Sequence, residues 1–307
     1  MKTILEKIKN RKKTLFSFEI LPPLRGRNIN SIYKIINTLN DFNPAFCSIT
    51  YHREEIVYKK LDNDFLQEKI VRKRPGTVAI AAAIQNKFPN LSVIPHIICG
   101  GFSDEETENA LIDLHFLEIN NLLALRGDSM KCENSFNPEK NGHKYSIELV
   151  KQIINLNKGK YLDNELENSE KTNFSVGVAA YPEKHSEAPN LDFDLKFLRK
   201  KIDAGASFII TQMFYDNKKF FYFVKKCRDI GIKVPIIPGL KPISTKKQIS
   251  IIPHIFNIDI PEKLVNQVLK CKNNKEVRKI GINWAIEQSK ELIDFGVPDL
   301  HFCKKNF

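Results

Sequence analysis

A chain of 307 residues with 42% hydrophobic composition can bury a large core without cross-links, and it has no run of about 18 apolar residues that would span a membrane. Cys47, Cys99, Cys132, Cys227, Cys271 and Cys303 form no Cys-x-x-Cys pair, so they read as buried small hydrophobes, with neither a disulfide framework nor a metal expected. The formal net charge of +12 is spread over many segments rather than gathered in one stripe, which argues against nucleic acid and leaves a general attraction for anionic ligands.

The basic segment Met1 to Lys13 lacks the apolar stretch and cleavage site of a signal peptide, so the expected location is cytoplasmic. Short apolar runs then recur in chain order: Thr14 to Ile20, Phe46 to Tyr51, Ser92 to Ile98, Asn121 to Leu125, Phe174 to Ala180, Ser207 to Gln212, Val234 to Pro238 and Asp299 to Cys303. Continuous apolar runs suit parallel strands covered on both faces. Helical patterns fall between them at Asn30–Leu39, Ser103–Glu118, Asp194–Ala204, Lys218–Arg228, Lys246–Ile255, Pro261–Lys270 and Glu276–Phe295. Ser103 with Glu106 predicts a capping box, Gly205 a C-cap, and Pro253 an end or kink. Ser129 to Lys144 is long enough for a functional loop, and Asn155 to Asn173 reads as a surface excursion.

Eight strand–helix repeats predict an α/β fold, a (β/α)8 TIM barrel of about the usual 250 residues or more, in a single domain over 1–307. No Gly-x-Gly-x-x-Gly turn follows a strand, which argues against a Rossmann sheet. Polar residues fall where the apolar strands end: Glu19, Thr50, His96, Arg126 with Asp128, Tyr181 with His185, and Gln212. In this fold such ends share one mouth, where active sites sit.

Glu19 lies in Phe16-Ser17-Phe18-Glu19-Ile20-Leu21-Pro22-Pro23. A carboxylate in an apolar strand is costly unless paired or protonated, and without a cation its pKa rises toward that of a general acid. A structural carboxylate paired with a buried cation is the alternative, and burial alone does not choose between them. Gly127 permits close backbone approach to a ligand, Arg126 offers donors and Asp128 a negative charge; an Arg–Asp pair tying down the loop is the bland reading. Lys200 and Lys201 suit a pyrophosphate or a solvated face.

Together these segments resemble the methylenetetrahydrofolate reductase family. The resemblance runs through Ser17 to Pro23, Ser48 to Tyr51, Pro95 to Cys99, Leu123 to Asp128, Gly142 to Tyr145, Ala179 to His185, Asp203 to Ala206, Ile210 to Asp216, Ile237 to Pro242 and Leu300 to Phe302. Gly159-Lys160-Tyr161-Leu162-Asp163 resembles a segment of bacterial members. The resemblance implies FAD as cofactor, NAD(P)H as donor, 5,10-methylenetetrahydrofolate as substrate, ping-pong hydride transfer feeding methionine synthesis, and a homo-oligomer. It implies Glu19 as the acid that opens the folate ring and Asp128 as the charge near flavin and pterin. FAD contacts are implied at Thr50, Tyr51, His96, Arg126, Gly127, Asp128, Tyr145, Ser146, Tyr181, His185, Ala188, Asp194, Lys200 and Lys201, and substrate contacts at Gln212, Phe214 and Gln248.

The chain departs from the family pattern at several places. His52-Arg53 follows Thr50-Tyr51 where a small Gly-Ala pair is common. Phe197 stands at a position that is polar in some relatives, and Ile252 where a Phe would stack. Phe307 falls where the family carries an Arg that reaches folate, with Lys304 or Lys305 as the candidate substitute. A flavin- or folate-binding protein without catalysis, and a different barrel flavoenzyme of the proline dehydrogenase kind, are the other readings.

Overall fold

The computed structural model describes residues 3–61, 64–130, 133 and 135–303. The elements are α1 (Ile4–Lys9), β1 (Leu15–Ile20), α2 (Asn30–Asn40), β2 (Phe46–Ile49), β3 (Glu55–Lys60), β4 (Leu66–Val71), α3 (Thr77–Lys87), β5 (Ser92–Ile98), α4 (Asp104–Phe116), β6 (Asn121–Leu125) and α5 (Ser146–Leu156). They continue with β7 (Ser175–Ala180), α6 (Leu191–Asp203), β8 (Phe208–Thr211), α7 (Asn217–Asp229), β9 (Ile236–Ile237), β10 (Gly239–Leu240), α8 (Gln248–Phe256), α9 (Glu262–Lys270), α10 (Asn274–Phe295) and β11 (Asp299–Phe302).

Nine strands form one sheet in the order β10-β11-β1-β2-β5-β6-β7-β8-β9. β9 lies within the predicted strand Val234–Pro238, and β10 follows it directly, beyond the predicted end, the two being parted by Pro238, which has no N–H to give to a ladder. The two ends of the strand order are therefore consecutive in the chain, and the order is that of a (β/α)8 barrel. All eight predicted strand positions are present.

The chain divides into two compact units, residues 1–4 with 20–177, and residues 5–19 with 178–307. In the first, β2, β5 and β6 are parallel, with Phe46 opposite Ser92 and His96 opposite Leu123. Every residue of β2 and β5 is buried, as their unbroken apolar composition requires. The Ser103 capping box forms as expected: Ser103 Oγ accepts from the Glu106 amide at 3.2 Å, and Ser103 N donates to Glu106 Oε2 at 2.8 Å.

The β3–β4 hairpin was not expected. Its strands pair antiparallel from Glu55–Val71 to Lys60–Leu66, with Tyr58, Phe65, Leu66 and Ile70 exposed. Interleaved lysines and glutamates hide it from a search for apolar runs. Helices α1, α3 and α5 also go beyond the expected set; α3, Thr-Val-Ala-Ile-Ala-Ala-Ala-Ile, is apolar all round and so has no helical stripe to detect.

In the second unit, β11 pairs with β1 (Leu15 opposite Asp299, Ser17 opposite His301) and with β10 (Gly239 opposite His301). Pro253 does not end α8, which continues to Phe256. The ring forgoes one hydrogen bond close to the helix end, and Asn257, left-handed at φ 51°, closes the turn by donating to Pro253 O at 2.9 Å. Met213, Ile243, Ile252, Leu264, Val268 and Val277 form a buried cluster under α8, α9 and α10, so Ile252 serves the core. Cys47, Cys99, Cys227 and Cys271 are buried and Cys303 is partly so; Cys132, Lys304, Lys305 and Phe307 lie outside the described residues.

Candidate active site

Side chains alternate along β1, so Ser17 and Glu19 face the same way. The register with β11 sets Ser17 beside His301, and Asp299 lies two residues earlier on the same face. Ser17, Asp299 and His301 are at most 1% exposed. Ser17 Oγ donates to Asp299 Oδ1 and lies 2.8 Å from His301 Nδ1. Burial pushes the Asp299 carboxyl up to about 7, opposed only by the Ser17 hydrogen bond. Burial alone pushes His301 down to about 3, so its ring is neutral at neutral pH. Glu19 is half-buried. Its carboxylate, a ring nitrogen of His301 and the Cys303 thiol lie within 4.8 Å of one another.

Ser17, Asp299, His301 and Cys303 are absent from the expected site residues. A signal for them exists: Asp299, His301 and Cys303 alternate with Leu300 and Phe302, just as Ser17 and Glu19 alternate with Phe16, Phe18 and Ile20. Polar residues at period two on two apolar strands mark one shared polar face.

Other expected residues of this unit fall into two groups. Tyr181 and His185, after β7, meet edge to face with centroids 4.7 Å apart. The His185 amide donates to Asp194 Oδ2 at 2.8 Å, so Asp194 fastens the loop that carries His185. Ala188 is buried and its carbonyl accepts from Lys184 Nζ at 3.0 Å. Lys201 Nζ donates to Ala179 O at 3.3 Å, whereas Lys200 is exposed, its Nζ 4.9 Å from the Phe197 ring centroid. Gln212 follows β8, and its Oε1 accepts from the Met213 amide at 3.0 Å.

Two expected substrate contacts have structural duties. Phe214 is fully buried and stacks on Phe220 at 4.9 Å with an interplanar angle of 8°, so it packs the core and offers no face to a ligand. Gln248 is buried, and its Oε1 accepts from Ser244 N at 2.6 Å, Thr245 N at 3.1 Å and Ser244 Oγ at 3.2 Å. It thereby holds the turn that starts α8. The side chain of Glu183, between Tyr181 and His185 in sequence, is only 7% exposed; it is clamped by Lys219, which also reaches Asp259.

In the first unit, Thr50 N donates to Ile20 O at 3.0 Å, and Thr50 Oγ1 is buried with no hydrogen-bond partner among the described residues. Tyr51 packs edge-on to Phe102 at 5.3 Å, and burial raises its phenol above its ordinary range. His96 is buried within β5 rather than at its end. Tyr51 and His96 both line a cavity of about 1120 Å3. After β6, the Arg126 guanidinium lies 5.1 Å from the Phe136 centroid, Gly127 is left-handed at φ 87° and Asp128 is exposed. Tyr145 is exposed beside α5, with Lys144 Nζ 5.7 Å from its ring centroid, and Ser146 is buried at the first position of that helix.

Arg53, unforeseen as a site residue, reaches the loop after β6. Its Nη2 meets Glu139 at 2.9 Å and its Nη1 meets Glu133 at 3.5 Å.

The sequence pattern described as methylenetetrahydrofolate reductase matches residues 4–306. The chain belongs to the methylenetetrahydrofolate reductase family. It is 30% identical over 291 residues to the 5,10-methylenetetrahydrofolate reductase of Escherichia coli, covering 94% of this chain and 86% of that one. It is 31% identical over 316 residues to methylenetetrahydrofolate reductase (NADH) 1 of Arabidopsis thaliana, covering 99% of this chain and 48% of the relative. With methylenetetrahydrofolate reductase 2 of Saccharomyces cerevisiae it shares 32% over 312 residues, covering 99% and 47%. The chain thus spans about half the length of these plant and yeast members of the family. A solved structure from Clostridium thermocellum, of an uncharacterized protein described as binding two copies of 5-methyl-5,6,7,8-tetrahydrofolic acid, superposes with a TM-score of 0.57 at 16% identity, over 98% of this chain and 92% of that one. At that identity the likeness speaks for the fold. No helix among the described residues is long and apolar enough to cross a membrane.

Proposed function

We propose that this chain is an oxidoreductase that reduces 5,10-methylenetetrahydrofolate to 5-methyltetrahydrofolate, using FAD and NAD(P)H in a ping-pong cycle. One observation carries the acid role: Glu19 is the carboxylate at the end of an apolar strand, gathered with His301 and Cys303 within 4.8 Å. Family membership supplies the reaction class.

The residues present fit a flavin. Thr50 Oγ1 is a buried polar atom awaiting a partner, and left-handed Gly127 presents bare backbone beside Arg126 and Asp128. The second unit, taken by itself, holds the edge-to-face pair Tyr181 and His185 and the exposed cation Lys200. FAD, when bound, supplies the hydride chemistry between the nicotinamide and the folate methylene carbon.

The protein's own part is proton transfer and charge. Protonated Glu19 gives its proton to the folate nitrogen that leaves the methylene carbon, opening the five-membered ring to a cationic iminium. The family resemblance gives Asp128 the fixed negative charge that favours that cation. Gln212 contributes an amide for the pterin or nicotinamide.

The test separates the half-reactions. In Glu19→Gln, flavin reduction by NADH is retained and reoxidation by methylenetetrahydrofolate falls by about 100-fold or more, the usual worth of a general acid. Normal reoxidation in that variant removes Glu19 as the acid. Failure of the purified chain to retain FAD on reconstitution overturns the reading as a whole.

A further inference from the structure

Behind Glu19, on the same face of the same two strands, three fully buried polar side chains are joined in series. Asp299 Oδ1 is bound by Ser17 Oγ, and Ser17 Oγ is bound to His301 Nδ1 at 2.8 Å. His301 in turn lies in the Glu19 cluster. Three polar groups at zero to 1% exposure are costly to keep in a barrel interior that leucine or valine would fill without penalty. Asp299 Oδ2 is also buried with no hydrogen-bond partner among the described residues, an arrangement that suits a carboxylic acid better than a carboxylate.

We propose that Asp299, Ser17 and His301 form a buried relay that returns a proton to Glu19 after Glu19 has given its own to the substrate. The proposal rests on the acid role of Glu19 argued above.

The two states of the relay follow from a single hydroxyl proton. Ser17 has one hydrogen to place between two neighbours. When Asp299 is protonated it donates to Ser17 Oγ, Ser17 donates to His301 Nδ1, and the neutral ring carries its hydrogen on Nε2. When Asp299 is ionised, Ser17 donates to Asp299, His301 Nδ1–H donates to Ser17, and Nε2 presents a lone pair. Nδ1 is taken by Ser17 in both states, which leaves Nε2 for Glu19.

Once Glu19 has become a carboxylate, one proton shifts at each link. Nε2 gives its hydrogen to Glu19, Ser17 gives its hydrogen to Nδ1, and Asp299 gives its hydrogen to Ser17. Glu19 ends protonated, Asp299 ends ionised, and Ser17 and His301 end neutral. After product has left, a solvent proton enters at Nε2 on the Glu19 side and each link runs back, Nδ1 to Ser17 and Ser17 to Asp299, which restores the starting state and supplies the one proton that each methyl product retains.

The groups facing the relay are consistent with this direction of transfer. On β11 and just beyond it these are Asp299, His301 and Cys303. Beside β10 stands Lys241, 7% exposed, next in sequence to Leu240, whose carbonyl accepts from Cys303 N at 2.8 Å. Tyr215, after β8, is buried, and the charge of Cys303 adds to the effect of burial in raising its phenol. Burial pushes Asp299 up to about 7, which makes it a donor matched to neutral pH, and holds His301 neutral, able to pass a proton without storing charge.

The relay acts between turnovers, so its loss has a kinetic signature that a packing defect lacks. FAD-loaded Ser17→Ala and Asp299→Asn are compared with wild type in anaerobic stopped flow, with saturating NADH and methylenetetrahydrofolate. In both variants the ratio of first-turnover to steady-state rate rises by about tenfold or more, seen as a burst that wild type lacks, and Ser17→Thr, which keeps the hydroxyl, restores the wild-type ratio. Equal slowing of the first and later turnovers, or no change in either, overturns the relay. An infrared titration of the wild-type protein gives a check that needs no variant to fold: the carbonyl band of a buried carboxylic acid is lost with a midpoint near 7, and its absence at acid pH overturns the proposal. Glu19→Gln reoxidised at the wild-type rate sinks the acid role itself, whereas an inactive Glu19→Gln beside a burst-free Ser17→Ala sinks only the relay.

Discussion

Gly281, in the middle of α10, lies directly against the backbone of Ile243. A Cβ at Gly281 would come far inside van der Waals contact distance of the Ile243 carbonyl oxygen and stand 2.8 Å from its carbon. Helix propensity favours alanine over glycine by about 1 kcal/mol. The steric term acts against backbone on both sides, which no side-chain rotation relieves, and overpacking costs about 1–3 kcal/mol. Gly281→Ala is therefore expected to lower the melting temperature despite its better helix former, with a net loss of about 1–2 kcal/mol. A melt equal to or above wild type would show that Ile243 moves aside freely.

Stability should respond to pH through two buried groups with opposite signs. Asp299 is raised from 3.8 to about 7 in the folded chain, so its contribution is complete below 3.8 and is lost as pH rises through about 7. His301 is lowered from 6.5 to about 3, so its contribution is complete above 6.5 and is lost as pH falls toward about 3. Between 3.8 and 6.5 the two changes oppose each other. Asp299→Asn removes one of them, and its melting temperature should then climb with pH across that window more steeply than that of wild type. Parallel curves for the two proteins would contradict the assigned shifts.

Gln248 offers a separation of turn from substrate. Its Oε1 holds Ser244 N, Ser244 Oγ and Thr245 N. Gln248→Glu retains an acceptor for all three donors, whose hydrogen bonds offset the burial of its carboxylate at a position 6% exposed, so it should cost less than removing the acceptor. Gln248→Ala strands two amides and should cost about 1–2 kcal/mol. With Oε1 engaged in the turn, the amide nitrogen is the atom left for the substrate contact that the family resemblance implies, so Gln248→Glu should raise the KM for methylenetetrahydrofolate while melting above Gln248→Ala. Unchanged KM would leave Gln248 with the turn alone.

Arg53 packs its stem against Gly100 and Gly101, where Cβ atoms would meet Arg53 Cδ and Cγ at 3.3 and 3.2 Å. Its guanidinium reaches Glu133 and Glu139. Glu139 is 46% exposed as a side chain, so that ion pair contributes little. The apolar stem carries most of the effect. Arg53→Ala should speed proteolysis within the loop Ser129 to Lys144, and Arg53→Met, which keeps an apolar stem without the charge, should retain most of the protection. Equal cleavage rates in the two variants would assign the effect to the ion pairs instead.

The strands and most of the helices are legible in the sequence because their signals are local. A strand covered on both faces must be apolar throughout, as β2 and β5 are, and the α4 cap is written in four consecutive residues, Ser103 to Glu106. Glu19 stands out for the same reason, as one charge in an apolar run. Only the tertiary structure shows that Phe214 stacks inward on Phe220, that the oxygen of Gln248 is already engaged, and that Asp194 fastens the His185 loop. Local composition states which side chains can bond, but the register of distant strands chooses their partners. Ser17 and His301 lie 284 residues apart in the chain. Each alone is an ordinary polar residue in a β-strand, and the parallel pairing of β1 with β11 turns them into neighbours.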